Sequence, residues 1–465
     1  MREVSRYSTD PNEYGAKLIT DFVNYGIKYT KRNPEYVRFC LHFVMGQRLR
    51  NKYFMIDGGK EDIAAPLIVL QSTGSGKTRF KPALWRISED LGLITKDVST
   101  ITAAGLAGTS EYDPEKRKKV IVRGYLQEAN VLIMDEADAL FHNLQTEHYR
   151  DASIYLQKSC DSIHPQINRK GEKEKTPSHI HKKLGTGEPI DFNSNCSNFM
   201  ASYIPESLNF VILHTGLIPR HITLIKHVDL EERKLVLNEI FNTINVQTPA
   251  TYEEEYAEII NRLKVVTKTA GTNREQIEIE ADAIEYLRDN SIEMANMITE
   301  CSMTARELLE GFVVRYALFP LRLAIHRALL SLRKSVNVND AAYGSMIMRP
   351  VWQKLISYLE LSVVQDPRER ALLNNRVHSS LLIYKALIKK GEKGIEVRKG
   401  GWVRENSLID RCKGLDCWFD CSGTAARDYF IKLTKKENES NPKAWFDRKK
   451  IGNTAYIRAI RDLVT

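Results

Sequence analysis

The stretch Leu67-Ile-Val-Leu-Gln-Ser-Thr-Gly-Ser-Gly-Lys-Thr78 indicates the fold class of the chain. Its first half is the apolar run of a buried strand, and its second half is a glycine-rich turn that ends in Lys77 and Thr78. In such a turn, backbone N–H groups surround the β-phosphate at a helix N-terminus, the lysine reaches the β- and γ-oxygens, and the hydroxyl ligates Mg²⁺. The turn therefore predicts a site for ATP and Mg²⁺, although Gln71 replaces the first glycine of the usual pattern. The residues predicted to bind the nucleotide are Thr73, Gly74, Ser75, Gly76, Lys77 and Thr78.

A second buried strand, residues 131–134, is followed directly by the carboxylates of Asp135 and Glu136. Open α/β sheets bind ligands at the carboxyl ends of their strands. We therefore expect Asp135 to hold Mg²⁺ through water and Glu136 to polarise the attacking water in ATP hydrolysis. The letters Asp-Glu-Ala-Asp also match the box of superfamily-two helicases. That match is taken as accidental, because the sequence after residue 230 is strongly helical and shows no second α/β domain.

Composition indicates an ordinary globular protein of two or three domains. The 465 residues are 43% hydrophobic and include 68 Lys and Arg against 59 Asp and Glu, a net charge of +9. This excess suits a polyanionic partner such as nucleic acid, although many basic proteins are merely soluble. The start has no apolar signal core, and no apolar run is long enough for a membrane span. We expect no membrane association and a cytoplasmic or nucleoid-associated location.

The seven cysteines are too scattered for a disulfide scaffold, which predicts a reducing compartment. Cys412, Cys417 and Cys421 do cluster. A structural zinc site normally needs four ligands, and the nearest His is far away in the sequence. Buried thiols are therefore the favoured interpretation, and metal binding by the cluster stays open.

Hydrophobic spacing predicts two amphipathic helices within residues 13–50 and a helical region from about 230 to 363. Residues 98–109 and 111–122 are predicted to form the arms of a β-hairpin with a basic tip, or else a plain surface hairpin. Residues 169–183 form a second basic, polar loop. The basic residues of the two segments are Lys116, Arg117, Lys118, Lys119, Arg169, Lys170, Lys182 and Lys183.

The C-terminal part is predicted to contain a basic amphipathic helix over residues 424–436. Residues 445–458 would form a short hairpin with Arg448, Lys449 and Lys450 near its tip. Helices followed by a basic hairpin are typical of a winged-helix module, which binds duplex DNA or another protein.

Two polar residues in the middle of the chain are candidates for the reaction itself. Asn193 or Asn195 ends an extended segment and is placed to orient the attacking water. Arg220 lies between two strand-like stretches. It is either a surface guanidinium or a finger inserted into the γ-phosphate site of a neighbouring subunit.

Several stretches resemble, in the same order, the AAA+ ATPase domain of minichromosome maintenance (MCM) helicases. Residues 103–140 contain Ala-Gly-Leu-Ala-Gly, a Tyr-Asp-Pro turn, Gly-Tyr-Leu-Gln-Glu-Ala-Asn and Ile-Met-Asp-Glu. Residues 216–224 read Gly-Leu-Ile-Pro-Arg-His-Ile-Thr-Leu. The resemblance covers residues 60–345 and is to the compact, divergent MCM-like ATPases carried by viruses and plasmids.

The resemblance implies roles for the candidate residues. Arg220 would be the arginine finger, Asn195 would be sensor 1, and sensor 2 would be Arg306 or Arg315. The hairpin within 98–122 would be the insert that faces the central DNA channel, and residues 169–183 would supply the second pore hairpin. The implied fold is an AAA+ α/β core with a parallel sheet and a helical lid.

The predicted parts are an N-terminal helical segment (1–60), the α/β ATPase core (61–230), the lid (231–363) and a winged-helix-like domain (364–465). The expected function is an ATP-dependent replicative DNA helicase that works as a homohexameric ring. Single-stranded DNA would lie in the pore and duplex DNA at the C-terminal module. The alternative is an ATP-switched initiator or loader, and recruitment of a separate primase or initiator is left open.

Overall fold

A computed structural model describes most of the chain. The described residues are 11–30, 34–71, 80–98, 102–113, 115, 117–137, 140–141, 147–165, 176–183, 189–203, 216–226, 234, 250–301, 303–365, 380, 383–384, 387, 401–412, 434–436, 446–451 and 454–459. The chain divides into two compact units, residues 1–363 and 364–465. The first three predicted parts lie together in the first unit, and the fourth begins where the second unit begins.

The helices of the first unit surround its sheets. They are α1 (Pro11–Thr30), α2 (Pro34–Arg48), α3 (Phe80–Asp90), α4 (Ala103–Ala107), α5 (Tyr125–Glu128), α6 (Glu147–Cys160), α7 (Ala250–Ala270), α8 (Ala281–Asn296), α9 (Met303–Leu330) and α10 (Val338–Gln365). Short 3₁₀ turns span Ile218–Arg220 and Met297–Glu300.

The strands of the first unit are β1 (Lys52–Ile56), β2 (Gly59–Asp62), β3 (Leu67–Gln71), β4 (Thr95–Asp97), β5 (Gly108–Asp113), β6 (Lys118–Arg123), β7 (Val131–Met134), β8 (His179–Lys182), β9 (Ile190–Asn193), β10 (Ser197–Ser202), β11 (Ile222–Lys226), β12 (Glu275–Gln276), β13 (Glu278–Ile279) and β14 (Ser335–Val336). The main sheet has five strands in the order β11-β3-β10-β7-β4. All its pairings are parallel.

Burial explains why the central strands are so apolar. Every residue of β3, β7 and β10 is buried, because helices cover both faces of a parallel sheet. Both strands predicted at the nucleotide motifs are present, and the α/β class with a parallel sheet is confirmed. The arrangement is compatible with a phosphate-loop α/β fold.

The two predicted N-terminal helices are present as α1 and α2, and they pack onto the core. Phe43 of α2 meets Phe199 of β10 with ring centroids 6.2 Å apart. Gly15 of α1 approaches α9 so closely that an added Cβ would lie 2.0 Å from Ser331 Oγ. The N-terminal segment therefore shares one hydrophobic core with the sheet and with the predicted lid.

Helix α9, in the predicted lid, is joined to the segment that leads into β3. Arg322 donates to the Ala64 carbonyl at 2.9 Å, and His326 Nε2 lies 2.7 Å from the Ile63 carbonyl oxygen. Both side chains are buried. These contacts fix α9 against the amino end of the phosphate-loop strand.

The first predicted hairpin is present but shorter than expected. Residues 103–107 form helix α4 and not a strand arm, because the Thr102 hydroxyl accepts a hydrogen bond from Gly105 N at 2.9 Å and so caps the helix. Strands β5 and β6 then pair antiparallel as a separate two-stranded sheet. A second antiparallel pair, β8 and β9, forms within the region of the second basic segment.

The second unit contains β15 (Val403–Arg404), α11 (Glu405–Cys412), β16 (Thr434–Lys436), β17 (Phe446–Ile451) and β18 (Thr454–Ala459). Its sheet has the order β15-β18-β17-β16. The predicted C-terminal hairpin is present as β17 and β18. The helix predicted to run to residue 436 is wrong at its end, because Thr434–Lys436 pair with β17 as a strand. Among the described helices of the chain, none is long and apolar enough to cross a bilayer.

Candidate nucleotide site and basic hairpins

The two strands with nucleotide motifs end at the same edge of the sheet. Strand β10 lies between them, with Ser202 opposite Leu70 of β3 and Met200 opposite Met134 of β7. Gln71 and Asp135 therefore emerge on either side of β10, two strand spacings or about 10 Å apart. The six residues predicted to bind ATP, 73–78, lie outside the described residues and directly follow this edge.

The acidic pair is open to solvent at this edge. Asp135 is half-buried and Glu136 is exposed. The backbone N–H of Ala137 donates to the Ala201 carbonyl at 3.0 Å, which ties the acidic loop to β10. Carboxylates with this exposure are accessible to solvent, and the roles predicted for them toward Mg²⁺ and water stay predictions.

Helix α3, which follows the phosphate loop, is fixed at both ends. Lys81 forms an ion pair of 2.5 Å with Asp97, the last residue of β4 at the same sheet edge. At the far end, Tyr256 donates to Asp90 at 2.5 Å, and Arg86 lies 4.0 Å from the centre of the Tyr256 ring. The helix that would start at bound phosphates is therefore anchored to the sheet and to α7.

Asn195 lies at the opposite edge of the sheet. It comes before β10, whose first residue, Ser197, pairs with Val131 at the amino end of β7. Gln47 donates to its carbonyl at 2.9 Å. Because β10 spans about 20 Å, the structure does not bring Asn195 to the phosphate edge, and the sensor 1 role predicted for it lacks geometric support. Asn193 lies within β9, where Thr176 donates to its side chain at 2.5 Å.

Ser202 is the polar side chain that β10 does bring to this edge. It is buried, and its hydroxyl has no hydrogen-bond partner within the described part of the chain. A buried hydroxyl without a partner is costly, which favours a ligand or water partner here. Sequence reasoning missed Ser202, although the carboxyl end of the apolar run Phe199-Met-Ala was the signal that pointed to it.

Arg220 lies at the amino edge of the sheet, opposite the edge at which β3 and β7 end. It ends a 3₁₀ turn two residues before Ile222, the first residue of β11, which pairs with Leu67. Its guanidinium donates to Asp161 at 2.9 Å and to the Gly216 carbonyl at 2.7 Å, and its side chain is 18% exposed. Arg220 therefore cannot act on the nucleotide of its own subunit.

One sensor 2 candidate lies beside Arg220. Arg315 Nη1 is 3.8 Å from Asp161, so two guanidinium groups share one carboxylate. Burial, followed by the positive charge of Arg220, lowers the pKa of Arg315 below its usual value. Arg306, the other candidate, donates instead to the Thr299 carbonyl at the start of α9.

A Cys–His–Asn cluster at the amino edge has the residue types of a thiol nucleophile. His221 Nε2 lies 3.6 Å from Cys160 Sγ, and Asn198 Nδ2 lies 3.4 Å from the same sulfur. All three are buried, and burial raises the pKa of Cys160 to about 12 and lowers that of His221 to about 3. Thiol and imidazole are thus both neutral and closed to solvent, so this cluster is structural.

Lys182 joins the two hairpins. Its ammonium donates to the Gly108 carbonyl at 2.6 Å and approaches the Ala103 carbonyl at 3.4 Å. Burial lowers its pKa below the usual value. The predicted DNA contact is therefore not supported for Lys182, whereas Lys183, Arg117 and Arg123 are exposed. Arg169, Lys170 and Lys116 lie outside the described residues, and the side chains of Lys118 and Lys119 are not described.

Exchanging Lys182 and Lys183 separately for Met is expected to distinguish a structural from an electrostatic role. Lys182→Met should lower the melting temperature, since two carbonyls lose their donor, and leave the salt dependence of DNA binding unchanged. Lys183→Met should leave stability unchanged and reduce the slope of log K against log salt by about 0.7 for single strands. Thermal melting and binding at several salt concentrations measure both. A reduced slope for Lys182→Met would contradict this assignment.

In the second unit, basic side chains surround an aromatic ring. Lys449 Nζ lies 4.0 Å and Arg458 Cζ 4.8 Å from the centre of the Trp402 ring. Arg448, predicted near the hairpin tip, instead pairs with buried Glu405 at 2.9 Å. Cys412 is buried, and Cys417 and Cys421 lie outside the described residues.

No group of three His, Cys, Asp or Glu side chains is placed to hold a metal ion in the part of the chain that the structure describes. A scan against protein-family models finds no match. A search of curated proteins likewise finds no similar sequence.

Proposed function

We propose that this chain is an ATP-dependent DNA-translocating motor, an AAA+ ATPase similar to MCM helicases, that works as a ring in DNA replication. One observation carries the proposal: strands β3 and β7 end at one edge of a parallel sheet. The loop Gln71–Thr78 follows the first strand and Asp135-Glu136 follow the second. A glycine-rich phosphate loop beside paired carboxylates is the arrangement that nucleotide hydrolysis requires.

The half-buried Asp135 and the exposed Glu136 are carboxylates of the kind that Mg²⁺ binds, which supports a site for ATP and Mg²⁺ at this edge. Thr73, Gly74, Ser75, Gly76, Lys77 and Thr78 would hold the phosphates, and Asp135 and Thr78 would hold the cation. When bound, the nucleotide supplies the phosphoanhydride bond that is cleaved. Glu136, exposed beside this site, orients and polarises water for attack. Ser202 would replace Asn195 as the polar residue at the centre of the site, because it ends the strand between the two motif strands and its buried hydroxyl has no hydrogen-bond partner among the described residues.

Neighbouring subunits would each contribute residues to one nucleotide site. Arg220 lies at the amino edge of its own sheet, so in a ring it would serve the site of the adjacent subunit. Arg315 shares Asp161 with Arg220 and would approach the same neighbour, which favours Arg315 over Arg306 as sensor 2. The hairpins with Arg117 and Lys183 would contact DNA in the pore.

An initiator or loader is the second candidate. The observation that favours it is the separate C-terminal unit, in which Lys449 and Arg458 flank Trp402. A basic aromatic surface on its own compact unit suits duplex binding without unwinding.

Steady-state ATP hydrolysis, with and without single-stranded DNA, tests the proposal beside forked-duplex unwinding at one moderate salt concentration. The salt is fixed because phosphate contacts weaken steeply with ionic strength. We expect DNA to stimulate hydrolysis, and Lys77→Ala to abolish both hydrolysis and unwinding. Lys96→Ala is the matched control, since Lys96 forms only an exposed pair with Glu128. ATP binding without stimulation or unwinding would support the initiator instead, and hydrolysis that survives Lys77→Ala would contradict the site.

A further inference from the structure

The first hairpin has one face that combines apolar and basic groups. Strands β5 and β6 form a two-stranded sheet of their own, and cross-strand pairing places Ser110 opposite Ile121 and Gly108 opposite Arg123. Because paired residues share a face and alternate along each strand, Tyr112, Ile121 and Arg123 lie on the same face. We call it the Tyr112 face.

This face leaves large apolar groups in solvent. Tyr112 is 62% exposed and Ile121 is 47% exposed. An aromatic ring and a branched aliphatic side chain side by side on a ribbon are apolar surface that folding has not buried, which marks a binding surface. Arg123 is also exposed, so a cation lies beside the apolar pair.

The Tyr112 face continues into a cleft between the two hairpins. The cleft has a volume of about 600 Å³ and is lined by Ile121, Arg123, Gln127 and residues 189–193. This volume falls in the range of small-molecule sites. The bond from Lys182 Nζ to the Gly108 carbonyl fixes the second hairpin to the base of the first, so the cleft is formed before any ligand binds.

The lining matches the chemistry of an unpaired nucleotide. Phe192 offers a flat ring and Ile121 adds apolar contact. The amides of Gln127 and Asn193 can hydrogen-bond base edges, and Arg123 offers a guanidinium for phosphate. Asp191, the acid of the cleft, lies 2.5 Å from His179 Nε2.

Charge favours a polyanion over a second protein surface. Arg117 and Arg123 are exposed at either end of β6. The hairpin sequence adds Lys116, Lys118 and Lys119, and these five cations outnumber its three acids, Glu111, Asp113 and Glu115. A polyanion that also carries accessible flat apolar groups is a single-stranded nucleic acid, because a duplex hides its bases in the stack.

We propose that the Tyr112 face and the adjoining cleft bind the bases of a single-stranded nucleic acid, with Tyr112 stacked on one base and Arg123 at a phosphate further along the same strand. The inference rests on the proposed nucleic-acid-binding function and deepens it, because the hairpins were expected to hold phosphates only. The motor would then contact the nucleic-acid strand through its bases as well as through its charged phosphates.

Equilibrium binding of the full chain to two labelled strands tests this: oligothymidine, and the same backbone with abasic sites. Tyr112→Ala is expected to weaken binding of oligothymidine by about 5- to 150-fold, the range for loss of one stacked base. It should leave binding of the abasic strand unchanged, and Tyr112→Phe should retain the affinity of the native chain. Val122→Ala is the matched control, since Val122 is 40% exposed on the other face of the same hairpin.

The slope of log K against log salt gives a second readout. Stacking adds affinity without releasing counterions, so Tyr112→Ala should lower affinity at every salt concentration with the slope unchanged. Equal weakening of both strands, or no weakening, would overturn the proposal. So would a change in oligomeric state with Tyr112→Ala, which would show that the face contacts a second copy of the chain.

Binding is measured without nucleotide, so this test is independent of the motor. If Tyr112→Ala does not weaken binding while DNA still stimulates hydrolysis, base stacking is rejected and the proposed motor function is retained. Base-dependent binding without hydrolysis would retain the inference and reject the motor.

Discussion

Replacing Arg220 by Ala is expected to slow ATP hydrolysis in the assembled protein by about 10³- to 10⁵-fold, the effect of removing an arginine finger. Arg220 lies at the amino end of β11, a strand of five residues or about 17 Å. It therefore cannot reach the phosphate edge of its own subunit, and the proposed role for it in catalysis is at the site of a neighbouring subunit. Turnover at saturating ATP measures the loss, and binding of a fluorescent ATP analogue should be unchanged.

The structural role of Arg220 must be separated from this effect. Its guanidinium holds Asp161 and the Gly216 carbonyl, so Arg220→Ala also removes local contacts. Asp161→Asn is the control, because it weakens the same ion pair but keeps the guanidinium. Near-normal hydrolysis is expected for this variant. Equal losses for Asp161→Asn and Arg220→Ala would identify a purely structural arginine.

Mixed assemblies test whether Arg220 acts across an interface. Arg220→Ala subunits keep an intact Glu136, and Glu136→Gln subunits keep an intact Arg220. Mixing the two inactive proteins should restore hydrolysis at interfaces where an intact Glu136 of one subunit meets an intact Arg220 of the other. Failure to restore activity in assemblies shown to contain both subunits would argue against a finger acting in trans.

Replacing Arg50 by Met is expected to destabilise the first unit by about 3–5 kcal/mol, the cost of breaking a buried ion pair from one side. Arg50 and Asp62 are both buried, with Nε and Oδ2 2.7 Å apart. The same guanidinium donates to the carbonyls of Ser159, Asp161 and Cys196. Arg50 therefore joins the end of α2 to Asp62, the last residue of β2, to the carboxyl end of α6 and to the residue that precedes β10. Denaturant unfolding measures the loss.

An exposed ion pair provides the comparison. Arg349 and Glu293 form a surface pair with both side chains about half exposed. Arg349→Met should therefore cost less than about 1 kcal/mol. Similar losses for Arg50→Met and Arg349→Met would contradict the assigned importance of the buried pair.

The same pair predicts a pH dependence. Burial alone would raise the pKa of Asp62. The charges of Arg50 and Arg322, with hydrogen bonds from Arg50 and from the Ala64 backbone N–H, outweigh burial and lower the pKa below its usual value. A lowered carboxyl pKa stabilises the fold above the unfolded pKa of about 4 and loses that contribution as pH falls through the folded value. Asp62→Asn should flatten this acid limb of the stability curve, and an unchanged acid limb would show that other carboxylates produce it.

Local patterns were enough to predict several elements. Strands 67–71 and 131–134 are apolar at nearly every position because they are buried on both faces, and α1 and α2 follow helical spacing. The turn chemistry of Asp113-Pro114 predicted the first hairpin, but not the Thr102 cap that turns residues 103–107 into a helix. Helix-capping residues favour a helix and β-branched residues favour a strand, and both can occur within a few positions. The boundaries of helices and strands are therefore predicted least accurately from sequence patterns.

The amino-acid pattern is enough to predict a class of chemistry, from a glycine-rich loop, a carboxylate pair and a basic composition. Which other residues lie beside these motifs depends on how the chain folds. A strand pattern has no direction in space, so the sequence led to Asn195, before β10, and missed Ser202 at its other end, which parallel pairing brings to the phosphate edge. Contacts between distant segments likewise assigned Lys182 to the Gly108 carbonyl and Arg220 to Asp161, because the partner of a charged side chain is set by folding and not by its neighbours in the chain.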